Sequence, residues 1–129
     1  MDKTKLLKCI GLAARARKII FGAELTCDGV REKDTELVVI ASDASEGTKK
    51  RVLRACIEND VECYTIDALT LELASAVGKS KPLAVIGITD KNLCVPVRQN
   101  ILGLTEKQAS SQKLDESEVI RNADKSSKI

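Results

Sequence analysis

Apolar residues recur every three or four positions along the first part of the chain. The members of this stripe are Leu6, Leu7, Ile10, Ala13 and Ala14. Such spacing predicts an amphipathic helix, because residues three and four apart lie on the same helix face. The rest of that helix is basic, through Lys3, Lys5, Lys8 and Arg15.

Three later segments predict buried strands. Leu37–Ala41 contains only apolar or small residues, as expected of a strand that is covered on both faces. Val61–Ile66 and Leu83–Ile88 give the second and third. A shorter apolar run, Ile19–Phe21, directly precedes Gly22.

Helical patterns fill the intervals between these segments. The second helix follows Gly22, and its Gly29 allows close packing on the sheet. The third helix spans Thr48–Asn59 and faces inward through Val52, Ala55 and Cys56. The fourth has its stripe at Leu69, Leu73 and Val77 and ends at Gly78. The last carries Leu93, Val97 and Ile101, and it is kinked or restarts at Pro96.

Alternation of strands and helices predicts the fold class. It favours parallel, right-handed crossover connections with helices on both faces of the sheet. We therefore predict an α/β protein, a three-layer α/β/α sandwich with a small mixed sheet of about four strands. The predicted domain is residues 1–103. Beyond it the composition turns polar, so residues 104–129 are expected to form a flexible polar C-terminal tail.

The composition indicates the cellular compartment and argues against one kind of metal site. The 5 cysteines are widely spaced without a C-x-x-C pair, and the chain has 0 histidines, which argues against a zinc site. No apolar run approaches the roughly 20 residues needed to cross a bilayer. We expect reduced, buried thiols in a monomeric cytoplasmic protein that has no membrane contact.

Positive charge is concentrated towards the N-terminus. Residues 1–54 hold 12 Lys and Arg against 8 Asp and Glu, whereas residues 55–103 hold 4 against 6. Lys49, Lys50 and Arg51 lie in the first turns of the third helix, where cations oppose the helix dipole unless an anion compensates. A phosphate-bearing partner and a simply solvated face both fit this pattern.

Enzymatic motifs are mostly missing. The sequence has no G-x-G-x-x-G or G-x-x-x-x-G-K-[ST] loop, and without histidine it has no Ser-His or Cys-His pair. Asp43, Asp67 and Asp90 follow the predicted strands, where a Mg²⁺ site is conceivable. Capping of the next helix explains these carboxylates more simply, as it explains Ser45. We expect no enzyme, no metal and no cofactor.

Aromatic residues are too few for base stacking on a sheet. Phe21 and Tyr64 alone do not form the platform used by sheet-based RNA-binding domains. Recognition of a nucleic acid would therefore use helix ends, loops and cations.

Three segments carry a resemblance over roughly residues 3–102. They are GLAARARKIIFGAEL (Gly11–Leu25), LVVIASDASEGTKK (Leu37–Lys50) and AVGKSKPLAVIGITD (Ala76–Asp90). In this order they resemble the kink-turn RNA-binding ribosomal proteins of the archaeal and eukaryotic large subunit, and most of all the short bacterial YlxQ-type RNA-binding proteins. The resemblance implies an α/β/α sandwich that grips a sharply bent RNA through one helix N-terminus and a nearby loop.

The resemblance also implies the site residues. Gly22 matches the glycine before the recognition helix, followed by Ala23, Glu24 and Leu25 in its first turn. Glu24 is placed to accept hydrogen bonds from guanine, although complementing the helix dipole explains it equally well. Leu25 matches the YlxQ-type pattern. Asp28 departs from the family, which places Lys there, and so it weakens the attraction for phosphate.

A second contact zone is implied in the loop of Val77, Gly78, Lys79 and Lys81, which is more cationic than in the family. Arg15, Arg17 and Lys18 are expected to neutralise phosphates, with a strength that falls as salt rises. We therefore expect a non-catalytic protein that binds structured, kink-turn-like RNA, possibly ribosomal RNA, in translation-related assemblies. The alternatives are a protein-interaction module of the same fold and a Mg²⁺-dependent phosphate enzyme.

Overall fold

The computed structural model describes residues 3–103. Its nine elements in chain order are α1 (Lys3–Arg15), β1 (Ile19–Phe21), α2 (Ala23–Arg31), β2 (Leu37–Ala41), α3 (Glu46–Asn59), β3 (Glu62–Ile66), α4 (Thr70–Ala76), β4 (Val85–Ile88) and α5 (Lys91–Leu102). The run Ile19–Phe21 is therefore a strand. The predicted tail, residues 104–129, lies outside the described residues.

The four described strands form one mixed sheet with the order β1-β4-β2-β3. Only β2 and β3 pair in parallel, and β4 runs antiparallel to both β1 and β2. The prediction of a mixed sheet is confirmed, and among the described strands the favoured parallel crossover joins neighbouring strands only from β2 through α3 to β3. Because β1, β2 and β3 point the same way, they finish at one end of the sheet, which we call the upper end. Strand β4 begins there and finishes at the lower end.

Helices cover both faces of the sheet, which confirms the three-layer sandwich. On one face, α1, α4 and α5 pack through Leu6, Ile10, Leu73 and Val97. On the other face, α2 and α3 pack through Cys27, Val30, Val52 and Cys56. Strand β2 supplies both cores, because its five residues are buried and alternate between the faces.

Gly29 brings α2 close to the sheet, as predicted. A Cβ atom at this position would lie 2.5 Å from the hydroxyl of Thr35 and 2.7 Å from Cδ1 of Ile20. Neither distance is compatible with van der Waals contact. The helix therefore packs at this depth only because residue 29 has no side chain.

Two of the four residues that were predicted to cap the next helix do so. Ser45 caps α3 by accepting from the N–H of Thr48 at 3.1 Å, and Asp90 caps α5 by accepting from the N–H of Asn92 at 2.8 Å. Asp67 does not cap α4, since that helix begins at Thr70 after the cap position Leu69. Asp43 takes this role from a distant part of the chain, as its carboxylate accepts from the N–H of Thr70 at 2.7 Å.

Two smaller expectations also change. Helix α5 continues through Pro96 rather than restarting there. Cys27, Cys56 and Cys94 are buried free thiols, but Cys9 and Cys63 are only partly buried. Among residues 3–103, no helix combines the length and the apolar character of a membrane span.

Candidate nucleic-acid interface

The backbone at Gly22 opens the second helix. Gly22 is the N-cap of α2, with φ 94° and ψ 155°, and it provides no side-chain hydrogen bond to the helix. Only glycine adopts this backbone conformation without strain. The first N–H groups of α2 therefore face outward without a capping oxygen, as is typical of helix ends that bind anions.

Gly22 is also fixed to the sheet, because its N–H donates to the carbonyl of Val85 at 2.9 Å. This bond holds the start of α2 at the upper end, beside the first residue of β4. Ala23 is partly buried and packs against the core of α2 and α3. The opening of the helix is therefore held in place from both sides.

The side chains that follow Gly22 point into solvent. Glu24 is exposed in the first turn of α2, and Leu25 is 61% exposed although it is apolar. Asp28 lies one turn further along, where its carboxylate accepts from the guanidinium of Arg31 at 3.1 Å. An acceptor and an apolar side chain thus stand next to unpaired N–H donors, while Asp28 offsets one cation.

The loop after α4 meets this helix start through Lys79. Its ammonium nitrogen lies 4.6 Å from the centroid of the Phe21 ring, and Phe21 directly precedes Gly22. This cation–π contact brings the two predicted contact zones together at the upper end. Phe21 was not among the predicted site residues, and its only signal in the sequence is its position before Gly22.

The remaining loop residues shape this zone. Gly78 has φ 80°, which reverses the chain after α4 and leaves open space where a Cβ would be. Val77 is partly buried and packs against the core, so it is less available to a ligand than the prediction implied. Lys79 and Lys81 are exposed. The loop therefore presents cations rather than an apolar surface.

Arg17 and Lys18 lie at the opposite end of β1. The carbonyl of Lys18 accepts from the N–H of Thr89 at 2.9 Å, and Thr89 follows the lower end of β4. The four steps from Lys18 to Gly22 span about 13 Å at a strand rise of about 3.3 Å per residue. Arg15, the last residue of α1, precedes this turn. The predicted residues thus form two groups, because β1 separates them, and not one continuous surface.

The structure also contains a basic groove between α2 and α3 that was not part of the predicted site. It has a volume of about 350 Å³ and is lined by Arg31, Gly47, Lys50, Arg51, Arg54, Ala55 and Glu58. The sequence feature that could have indicated this groove is the run of cations in the first turns of α3. Lys49 is not part of the groove, since its ammonium group donates to the carbonyl of Ser42 at 2.9 Å.

Carboxylates do not converge on a metal site within residues 3–103, where no group of three or more potential ligands is found. Asp43 and Asp67 follow β2 and β3 at the upper end, whereas Asp90 follows β4 at the lower end. The antiparallel direction of β4 causes this separation. The three aspartates proposed for a Mg²⁺ enzyme therefore do not form one site.

Comparison with known proteins agrees with this architecture. The model of the ribosomal protein L7Ae/L30e/S12e/Gadd45 family matches residues 4–95. An Enterococcus faecium protein named RNA-binding protein YlxQ is 35% identical over 102 residues, which cover 79% of this chain and 96% of that protein. The large ribosomal subunit protein eL30 of Methanocaldococcus jannaschii is 27% identical over 105 residues, covering 81% and 91% of the two chains. A solved Giardia lamblia 15.5kD RNA binding protein superposes with a TM-score of 0.65 at 25% identity, covering 80% and 89%.

Proposed function

The chain belongs to the ribosomal protein L7Ae/L30e/S12e/Gadd45 family, and from this premise we propose that it is a non-catalytic RNA-binding protein. Its ligand is a sharply bent, kink-turn-like RNA, and the contact surface lies at the upper end of the sheet. The family is one of ribosomal and RNA-binding proteins, which fits a role in ribosome-associated or translation-related assemblies. We further propose that the protein acts as a monomer in the cytoplasm.

One observation carries the proposal: the start of α2 and the loop after α4 meet at the Lys79–Phe21 contact. The helix start offers unpaired N–H donors and the exposed acceptor Glu24, and the loop adds cations. A bent RNA matches both features of this surface. Its kink exposes base edges that can hydrogen-bond to the helix start, and its crowded phosphates require neutralisation by the loop cations. A straight duplex presents its base edges poorly to such a surface.

Glu24 is the residue proposed to read bases. Its side chain is exposed beside Gly22, and a carboxylate accepts hydrogen bonds from the N–H groups of guanine. One such contact contributes about 1–3 kcal/mol to discrimination between bases. Leu25, exposed on the next position of the same turn, supports apolar contact with an unstacked nucleotide.

The relatives named above support the RNA as ligand. The Enterococcus faecium and Giardia lamblia proteins carry RNA binding in their names, and both align over most of this chain. Ribosomal RNA as the natural ligand rests on eL30 alone, a ribosomal protein with lower identity.

A gel-shift titration tests the function. A kink-turn RNA, a bulged hairpin and a plain duplex of equal length are titrated with the protein at two salt concentrations. We expect retardation of the bent RNAs, strongest at low salt, and much weaker retardation of the duplex. Equal retardation of all three RNAs, or none, would contradict recognition of a bend.

The variant Glu24→Gln tests the base contact, with Glu32→Gln as its matched control. Both residues are exposed, Glu24 in the first turn of α2 and Glu32 as the C-cap residue after it, and both changes remove one negative charge. Glu24→Gln is expected to weaken binding of the bent RNA about tenfold, whereas Glu32→Gln leaves it unchanged or slightly stronger. If Glu24 only complements the helix dipole, its variant loses a little stability but no affinity.

The second candidate is a protein-interaction module of the same fold. Asp28 favours it, because its ion pair with Arg31 removes a cation from the RNA-facing helix. This candidate predicts negligible binding of every RNA in the titration. The bent-RNA proposal and this alternative are therefore separated by the same experiment.

A further inference from the structure

Within the described part of the chain, three cations of α3 have no carboxylate partner. The ion pairs among residues 3–103 involve Lys3, Arg31, Lys49 and Arg98, and none involves Lys50, Arg51 or Arg54. All three side chains are exposed. They follow the first turn of α3, with Lys50 and Arg51 in the second turn and Arg54 one turn further along.

Packing of α2 against α3 concentrates this charge. Arg31 reaches from the last turn of α2 into the groove that Lys50, Arg51 and Arg54 line on α3. The Cys27 thiol on α2 is within electrostatic range of an arginine on each helix. Burial raises the pKa of the Cys27 thiol, and the positive charges of Arg31 and then Arg51 oppose that rise. The three unpaired cations of α3 and Arg31, which is paired with Asp28, therefore line one concave surface, with Glu58 as the single carboxylate of its lining.

The floor of the groove is small and open. Gly47 and Ala55 lie between the cations, and a Cβ on Gly47 would meet no atom within 4 Å. A backbone phosphate can therefore approach the helix between the long basic side chains. The groove lies beside α2, the helix whose start forms the proposed bent-RNA site.

We propose that this α2–α3 groove is a second contact surface, which binds the phosphate backbone of the RNA stem flanking the bend. The proposal rests on the RNA-binding function proposed above and extends it beyond the upper end of the sheet. The stem leaves the start of α2 and runs along α2 and α3, so that Lys50, Arg51 and Arg54 neutralise successive phosphates. These contacts are independent of sequence, because phosphates carry no base identity.

The test replaces the three α3 cations together, as Lys50→Gln, Arg51→Gln and Arg54→Gln. A control variant replaces Lys5, Lys8 and Lys91 with Gln, which removes the same charge from α1 and α5 on the other face of the sheet. The probes are a bent RNA with a long stem, the same RNA with a minimal stem, and a plain duplex at low salt. Thermal unfolding of each variant confirms that it folds.

The groove variant is expected to lose at least tenfold in affinity for the long-stem RNA and little for the minimal-stem RNA. The slope of log Kd against log salt should become shallower by about 2–3, since each phosphate contact contributes roughly 0.7–0.9. The groove variant should also lose most of its duplex binding. Equal affinities of the groove and control variants for the long-stem RNA and for the duplex would overturn the proposal.

A second variant, Gly47→Glu, places a negative charge on the groove floor and keeps every cation. It should weaken long-stem binding as the triple variant does, and unchanged binding would count against the groove. Failure of the proposed function gives a different result, because the wild-type protein would then not prefer the bent RNA over the duplex. Even in that case, duplex binding at low salt that disappears in the groove variant supports the surface, and duplex binding that persists overturns it.

Discussion

The ammonium group of Lys79 lies over the ring of Phe21, 4.6 Å from its centroid. This contact joins the loop after α4 to the strand that ends immediately before Gly22. A loop cation and a helix start that are far apart in sequence are thereby held at one end of the sheet.

The Lys79–Phe21 contact is expected to stabilise the protein measurably. A double-mutant cycle with Lys79→Met and Phe21→Leu should give a coupling of about 0.5–1 kcal/mol in the free energy of unfolding, as found for exposed cation–π pairs. Urea unfolding of the four proteins measures it. Lys81→Met serves as the control, because its coupling with Phe21→Leu should be close to zero.

Replacing Asp28 with Lys is expected to strengthen RNA binding. The change removes the ion pair that holds Arg31 at 3.1 Å and adds a second cation on the same helix. An exposed pair of this kind contributes little to stability, roughly 0.2–1 kcal/mol, so the fold should tolerate the change. Affinity for the bent RNA should rise by about 1 kcal/mol, roughly fivefold.

The matched control for this variant is Asp34→Lys, which makes the same charge change in the exposed turn after α2. It raises the net charge equally but lies beyond the last turn of the helix. Equal gains from both variants would mean that net charge alone, and not position 28, sets the affinity.

Much of this fold could be predicted from local patterns. The stripe of Leu6 and Ile10 identified α1, the buried run Leu37–Ala41 identified β2, and Gly29 marked the close approach of α2. The features that could not be predicted depend on how the whole chain packs. β1 has only three residues, too few for a period, and the antiparallel direction of β4 is set by packing of the whole sheet.

The site divides in the same way. Gly22 could be placed before the second helix from the sequence, because a glycine in front of a helical pattern is a local signal, whereas Glu24 became a candidate only through the family resemblance. The Lys79–Phe21 contact could not, since it joins residues 58 positions apart through tertiary packing. The α2–α3 groove needs two helices side by side, and the sequence showed only the cations of one of them.

Substitution of Gly29 should destabilise the protein. In Gly29→Ala the new Cβ would lie 2.5 Å from the hydroxyl oxygen of Thr35 and 2.7 Å from Cδ1 of Ile20, so α2 or these two side chains must shift. Overpacking of this kind costs about 1–3 kcal/mol. Gly47→Ala is the contrasting variant, because its Cβ meets no atom within 4 Å and alanine favours a helix by roughly 0.5–1 kcal/mol. Urea midpoints should move in opposite directions, and a Gly29→Ala protein as stable as the wild type would show that the helix or its neighbouring side chains can move at no cost.

Asp43 should act as a cap and not as a metal ligand. Its carboxylate accepts from the N–H of Thr70 at 2.7 Å and from the hydroxyl of the same residue at 3.2 Å, so it ties the loop after β2 to the start of α4. Asp43→Ala is therefore expected to lower the free energy of unfolding by about 0.5–2 kcal/mol, the usual cost of losing a cap. Asp67→Ala is the control, because this exposed carboxylate does not cap α4, and its effect should stay within about 0.5 kcal/mol.

Thermal unfolding of the wild type and of Asp43→Ala, with and without millimolar Mg²⁺, distinguishes a cap from a metal ligand. If a metal were the reason for these aspartates, Mg²⁺ would raise the wild-type midpoint and fail to do so in Asp43→Ala, whereas a cap predicts the same loss of stability in both buffers.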